Sequence, residues 1–170
     1  GLIFVTNMST GGSSSSKGVV AFDVAQGTSV EFATTLSPID LTMGLDGKLW
    51  VLSGSAAHAF DPDTFGSLGS LSLAGLGDVR GLAVDSQGDL YLATWEGAIK
   101  HINPAGDLLD SLSIGNSIMD IDISPNGLIA VGTVTAGAWL VAFVPEPATN
   151  LAFVIGLSIL SITHLIRRRR

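Results

Sequence analysis

Three short segments of this chain can be laid over one another, and that self-similarity limits the fold more than any other feature. Leu41–Leu52, Leu82–Ala93 and Ile121–Gly132 each read as an alternating apolar run, then a polar residue followed by Gly, then a second apolar run. The turn dipeptides are Asp46-Gly47, Gln87-Gly88 and Asn126-Gly127, spaced 41 and 39 residues apart. A glycine at that place supplies the positive φ that a tight reversal between two strands needs. Two more strands follow each turn in the first two units: Ala59-Phe60-Asp61-Pro62 aligns with His101-Ile102-Asn103-Pro104, and Leu71-Ser72-Leu73 aligns with Leu112-Ser113-Ile114. The unit is therefore about 40 residues long and holds four strands.

Both the period and the strand count are those of a β-propeller blade. The second strand of a unit has no polar side. In Leu90–Ala93, Leu90 and Leu92 point one way and Tyr91 and Ala93 the other, so both faces need cover. A two-sheet sandwich would more often alternate apolar inward and polar outward. The expected fold is all-β, a propeller-like repeat of four-stranded antiparallel blades. The segments 79–84, 90–94, 99–103 and 108–114 should form one sheet, and Gly47, Gly88 and Gly127 should sit in equivalent turns. The stretch Asp78–Ile114 resembles blades of the NHL type and of related lyase-like propellers, which implies the architecture and no activity. About four blades' worth is present. Two are whole; Leu2–Val5, Val19–Val24 and Val30–Thr34 read as a blade without its first strand, and residues 118–143 as one without its fourth. The chain opens at Gly1 inside an apolar run, so a leader and further N-terminal blades are expected upstream. Gly11-Gly12-Ser13-Ser14-Ser15-Ser16 reads as a surface loop; it lacks the Gly-Lys-Ser/Thr ending of a phosphate-cradling loop.

The last 27 residues are of another kind. Val144-Pro145-Glu146-Pro147 comes first, and two prolines so close stop both strand pairing and helix. An uncharged run of 19 residues follows, 148–166. As a helix it is about 28 Å long, near the roughly 30 Å of a bilayer's hydrocarbon core. Arg167, Arg168, Arg169 and Arg170 close the chain and would hold that end on the cytoplasmic side. The plainer reading is a buried helix of a globular core, which the one-sided charge disfavours. Order, spacing and position together resemble the PEP-CTERM sorting signal of exported bacterial proteins. The resemblance covers Val144–Arg170. It implies processing by an exosortase, a membrane protease-transpeptidase, and a place in the Gram-negative envelope, often with exopolysaccharide. The division expected is thus an extracytoplasmic domain over 1–143, the box at 144–147, a transmembrane helix over 148–166 and a cytoplasmic arginine cluster at 167–170. The domain would be periplasmic while anchored to the inner membrane, then at the cell surface or outside after processing.

Charge narrows the partners. The chain has 15 acidic and 8 basic residues. Four of the bases are Arg167–Arg170 and one acid is Glu146, so the part before Val144 holds Lys17, Lys48, Arg80 and Lys100 against 14 acids, a net −10. Such a surface repels nucleic acid and suits solubility and cations. There is no cysteine, hence no disulfide or thiolate chemistry.

The candidate chemistry is sparse. Trp95 with Glu96 is an aromatic platform beside a hydrogen-bond acceptor, the pairing a carbohydrate would use. Asp120 and Asp122 are two apart on a strand and so share a face. That pair, like Asp61 and Asp63, could take one calcium, although it lacks the further ligands of a calcium loop; turn and surface carboxylates are the plainer reading. Asp78, Asp85, Asp89 and Glu96 are expected around one blade, facing a central channel. His58 and His101 lie near the third strands of adjacent blades, but the unit offset carries His58 onto Lys100, so structural histidines are expected rather than a metal pair. His164 falls near the arginine end of the apolar run and reads as interfacial. Trp50 and Trp139 read as core. No Ser-His-Asp set and no glycosidase carboxylate pair stands out. The function expected is binding or scaffolding in an extracellular polymer matrix, with no cofactor. The rival is a metal-dependent lyase- or lactonase-like propeller enzyme.

Overall fold

The computed structural model describes residues 1–7, 17–135, 137–142 and 154–155. They form four antiparallel sheets, and there is no helix among the described residues. The first sheet holds β1 (Leu2–Asn7), β2 (Gly18–Asp23) and β3 (Thr28–Phe32). The second holds β4 (Pro38–Met43), β5 (Leu49–Ser53), β6 (Ala56–Phe60) and β7 (Ser67–Ser72). The third holds β8 (Val79–Val84), β9 (Leu90–Thr94), β10 (Ala98–Ile102) and β11 (Leu108–Ser113). The fourth holds β12 (Ile118–Ile123), β13 (Leu128–Thr133), β14 (Gly137–Ala142) and the two-residue β15 (Val154–Ile155). Strand order within every sheet is sequence order.

The turns repeat as the sequence predicts. Gly47, Gly88 and Gly127 have φ of 81°, 85° and 80°. Each donates its amide to the carbonyl three residues back, Gly44, Asp85 and Ser124, at 3.0, 3.2 and 2.9 Å. A second regularity was not anticipated. The pairing of the first two strands slips at the same place in three sheets, between Pro38 and Asp40, between Val79 and Gly81, and between Ile118 and Asp120. An extra residue on one strand bends it and re-aims the side chains beside it. Asp40, Gly81 and Asp120 are thereby equivalent, each seven residues before its turn glycine.

The sheets stack face to face through three apolar cores. Between the first and second sheets lie Val19, Leu49, Val51 and Phe60, with Phe4 and Phe32 packed against them. Phe32 stacks on Phe65 at 4.9 Å between ring centroids. Between the second and third lie Trp50, Leu52, Leu82, Leu90, Leu92 and Ile102. Between the third and fourth lie Tyr91, Ala93, Ile99, Ile121, Ile129 and Val131. The strand β9 thus feeds one core with Leu90 and Leu92 and the other with Tyr91 and Ala93, and all five of its residues are buried. Burying one leucine or isoleucine contributes up to about 1.5–3 kcal/mol, so an all-apolar strand is what a sheet covered on both faces requires.

One difference concerns the fourth sheet. Its fourth strand is supplied by Val154 and Ile155, which pair with Val141 and Leu140. The sequence reading left that sheet at three strands and placed both residues in a transmembrane helix. At these two positions the chain is instead extended along the outer edge of β14, an edge that unpaired would leave a row of open amides and carbonyls. The rest of the 148–166 run, the box at Val144–Pro147 and Arg167–Arg170 lie outside the described residues, as does His164. Among the described residues no helix is long and apolar enough to cross a membrane.

Candidate functional site

Two places gather the polar side chains singled out above. The first is at the start of β8 and the turn after β9. Gly97 closes that turn with its amide on the Thr94 carbonyl at 3.0 Å, and the Trp95 amide donates to the Asp78 carbonyl at 2.8 Å. Trp95 is held by its backbone while its ring stays 44% exposed. The Arg80 guanidinium sits 5.5 Å from the centre of that ring, within the range of a cation–π contact. It also pairs with Asp78 at 2.6 Å. Glu96 accepts the Asp78 amide through Oε1 at 3.1 Å. Bonds from its own backbone amide and that of Asp78 hold Glu96 below the ordinary carboxylate range, because each favours the ionised form. Trp95 and Glu96 therefore belong to a four-residue group with Asp78 and Arg80. The Arg80 Nε is buried without a hydrogen-bond partner among the described residues.

Asp85 and Asp89 are not part of that group, which corrects the expectation of one acidic cluster. They lie at the opposite end of β8, in the turn to β9, where Asp85 Oδ1 accepts the amides of Gln87 and Asp89. Six residues of strand separate the two ends by about 20 Å. Asp89 is occupied by His101, Oδ2 to Nε2 at 2.9 Å, and the His101 ring stacks on Tyr91 with centroids 4.4 Å apart. Burial, with the charges of Asp85 and Asp89 adding, pushes the Tyr91 hydroxyl up to about 12.

The second place is a pocket of about 310 Å³ where the innermost strands β4, β8 and β12 meet. Asp40, Thr42, Leu82, Asp120, Ile121 and Asp122 line it. Asp120 and Asp122 share a face there as the sequence predicts. Asp40 joins them, a residue the sequence reading missed although its place seven before Gly47 matches that of Asp120 before Gly127. Asp40 links two sheets, since Oδ2 accepts the Leu82 amide at 2.9 Å while Oδ1 accepts that of Leu41 at 2.8 Å. Burial raises the Asp40 carboxyl, the two amide bonds lower it, and the Asp120 charge raises it further; the result lies above the ordinary value. Asp120 and Asp122 each accept the amide of the residue that follows them.

The remaining candidates settle into structural places. Asp61 Oδ1 accepts the amides of Asp63 and Thr64 and so closes a turn; those bonds hold it below the ordinary carboxylate range. His58 pairs across from Val51, on the face toward the first sheet, while His101 pairs across from Tyr91, on the face toward the fourth. The two histidines thus cannot share a metal. Burial lowers His58. Trp50 is in the core with its Nε1–H directed at the Asp46 carboxylate, and Trp139 packs against the third core. Among the described residues no group of three or more His, Cys, Asp or Glu side chains has the arrangement of a metal site.

No family model matches the chain, and no curated protein matches it. Among solved structures, the chain is similar to one titled "Crystal Structure of Mitotic Checkpoint Complex", with a TM-score of 0.57 and 17% identity over 72% of this chain and 40% of that chain. At that identity the likeness bears on the fold alone, and this chain spans about two fifths of that chain's length.

Proposed function

We propose that the chain is an exported envelope protein in which a propeller-like domain serves as a binding or scaffolding module and Val144–Arg170 is a sorting signal processed by an exosortase. The observation that carries this reading is the fixed order of the box Val144–Pro147, the uncharged run 148–166 and Arg167–Arg170. The repeated sheets stacked on both faces support a propeller-like domain, as does the fold-level likeness. The exposed Trp95 ring, with Arg80, Asp78 and Glu96 around it, supports a sugar-binding role: a flat apolar surface rimmed by donors and acceptors is what a polysaccharide strand in an extracellular matrix presents a use for. The domain's acidic balance favours a neutral or cationic polymer over an anionic one.

The test is processing. Replacing Pro145, Glu146 and Pro147 by alanine should leave a protein that inserts but stays uncleaved in the inner membrane of a host carrying an exosortase. Fractionation and C-terminal mass analysis read the outcome. Release of that variant at the parent's rate would make Val144–Arg170 an ordinary anchor and end the sorting-signal reading.

A second reading has an observation of its own. Asp40, Asp120 and Asp122 share one pocket with Thr42, which suits a lyase- or lactonase-like enzyme holding a calcium ion. Turnover of a lactone or sugar substrate that chelation abolishes, and that Asp122→Asn also removes, would favour it. With no such turnover the binding module stands.

A further inference from the structure

We infer that the outer faces of the first and fourth sheets are two halves of one interface, and that a second copy of this chain occupies it head to tail. Each of the three cores is built the same way, from the forward face of one sheet and the backward face of the next. The third sheet's forward face carries Tyr91 and Ala93, both covered by the fourth sheet. The positions equivalent to them in the fourth sheet are Ala130 and Gly132, and nothing among the described residues covers Ala130. Leu128 and Leu140 flank it on the same face, 37% and 47% exposed; Leu140 pairs directly across from Ala130. At the other end, Phe4 and Val19 of the first sheet point into the core with the second. The alternate residues Ile3, Val5 and Phe22 point backward and are 54%, 46% and 47% exposed. A soluble domain rarely leaves contiguous apolar faces of this kind in water.

The two open faces are one of each sort, so copies of the chain complement each other without any new kind of contact. Two polar features agree. Asp120 occupies the place from which Asp40 reaches forward to the Leu82 amide of the next sheet, yet among the described residues it accepts only from Ile121. β1, at the inner side of the first sheet, has no strand paired along its inner edge among the described residues, so it offers backbone amides to such a carboxylate. A forward-to-backward contact is heterologous, and it closes when rotation allows. Two copies contribute eight sheets, within the four to eight blades typical of closed rings of such sheets.

The absence of cysteine permits a clean test on the full chain in mild detergent. Ile3→Cys and Leu140→Cys are made separately and treated with a short bis-maleimide. The expected result is a cross-linked dimer in the mixture of the two variants and none with either alone. Asp110→Cys, exposed on the outer edge of the third sheet, should give no dimer when mixed with Leu140→Cys. Adding Phe22→Asp to the Ile3→Cys chain should remove the cross-link while leaving the far-ultraviolet circular dichroism unchanged. A dimer from Leu140→Cys alone would mean a symmetric face-to-face contact and overturn the proposal. So would a mixture that stays monomeric, one that cross-links no better than the Asp110→Cys control, or a dimer that Phe22→Asp leaves intact.

Discussion

Replacing Gly97 by alanine tests whether the third and fourth sheets pack as closely as described. Gly97 has φ +83°, and a Cβ placed there would lie 2.7 Å from the Asn116 carbonyl oxygen and 2.9 Å from both its carbonyl carbon and its amide nitrogen. Those are backbone atoms of the segment leading into β12, and they cannot swing aside as a side-chain tip would. Two costs therefore add. The left-handed conformation costs an L-residue about 1–2 kcal/mol. Forcing a methyl into an occupied space typically costs about 1–3 kcal/mol more. Gly127→Ala separates the two, because Gly127 has φ +80° with nothing within 4 Å of the added atom. The expected loss is thus about 1–2 kcal/mol for Gly127→Ala and about 2–5 kcal/mol for Gly97→Ala. At about 2–4 °C per kcal/mol for a chain of this size, Gly127→Ala lowers the melting temperature by roughly 2–8 °C and Gly97→Ala by clearly more. Urea unfolding of both variants, followed by circular dichroism, gives the difference free of the conformational term. Equal losses would refute the close approach of Asn116 to the turn after β9.

Asp40 gives a pH signature. Its carboxyl is raised in the folded state, mainly by burial, so the folded protein holds that proton more tightly than the unfolded chain. Its contribution to stability is then greatest in acid and declines as pH rises from the ordinary 3.8 through the raised folded value. Asp40→Asn should flatten that decline relative to the parent, as measured by urea midpoints across the acid range; parallel curves would exclude the assignment. For binding, Trp95→Ala should weaken a neutral polysaccharide by roughly two- to tenfold, the equivalent of about 0.5–1.5 kcal/mol for one aromatic face. Affinity electrophoresis in polysaccharide-containing gels reads this, and unchanged mobility would remove Trp95 from the site.

The strands were legible because each fact that makes them is local. Alternation in Ile118–Ile123, the doubly apolar Leu90–Ala93 and the turn glycines are all properties of a few consecutive residues. The third sheet matches its expected strands to within a residue at each end. What the sequence hid depends on how strands meet. Asp40 became part of the pocket through a bond to Leu82, 42 residues away, and only its offset from Gly47 pointed to it. Arg80 reached Trp95 because the start of β8 faces the end of β9, Val79 opposite Thr94. Asp78 and Asp85 looked like neighbours in the sequence, yet a strand carried them to opposite ends. A hydropathy window cannot foresee Val154 and Ile155 as an edge strand, since β-branched residues serve an apolar helix and a strand edge alike.

From β2 to β14, every pairing joins strands that are neighbours in sequence, and this has a consequence for synthesis. Short loops make each reversal cheap to close, so a sheet needs nothing from the far end of the chain to assemble. At about 5–20 residues per second, a unit of about 40 residues emerges in roughly 2–8 s, far longer than the roughly 1–10 μs a hairpin takes to form. The nascent chain would therefore add sheets one at a time, each new one meeting an apolar face already in place. A variant that slows one sheet should stall those translated after it and leave the earlier ones protected from protease.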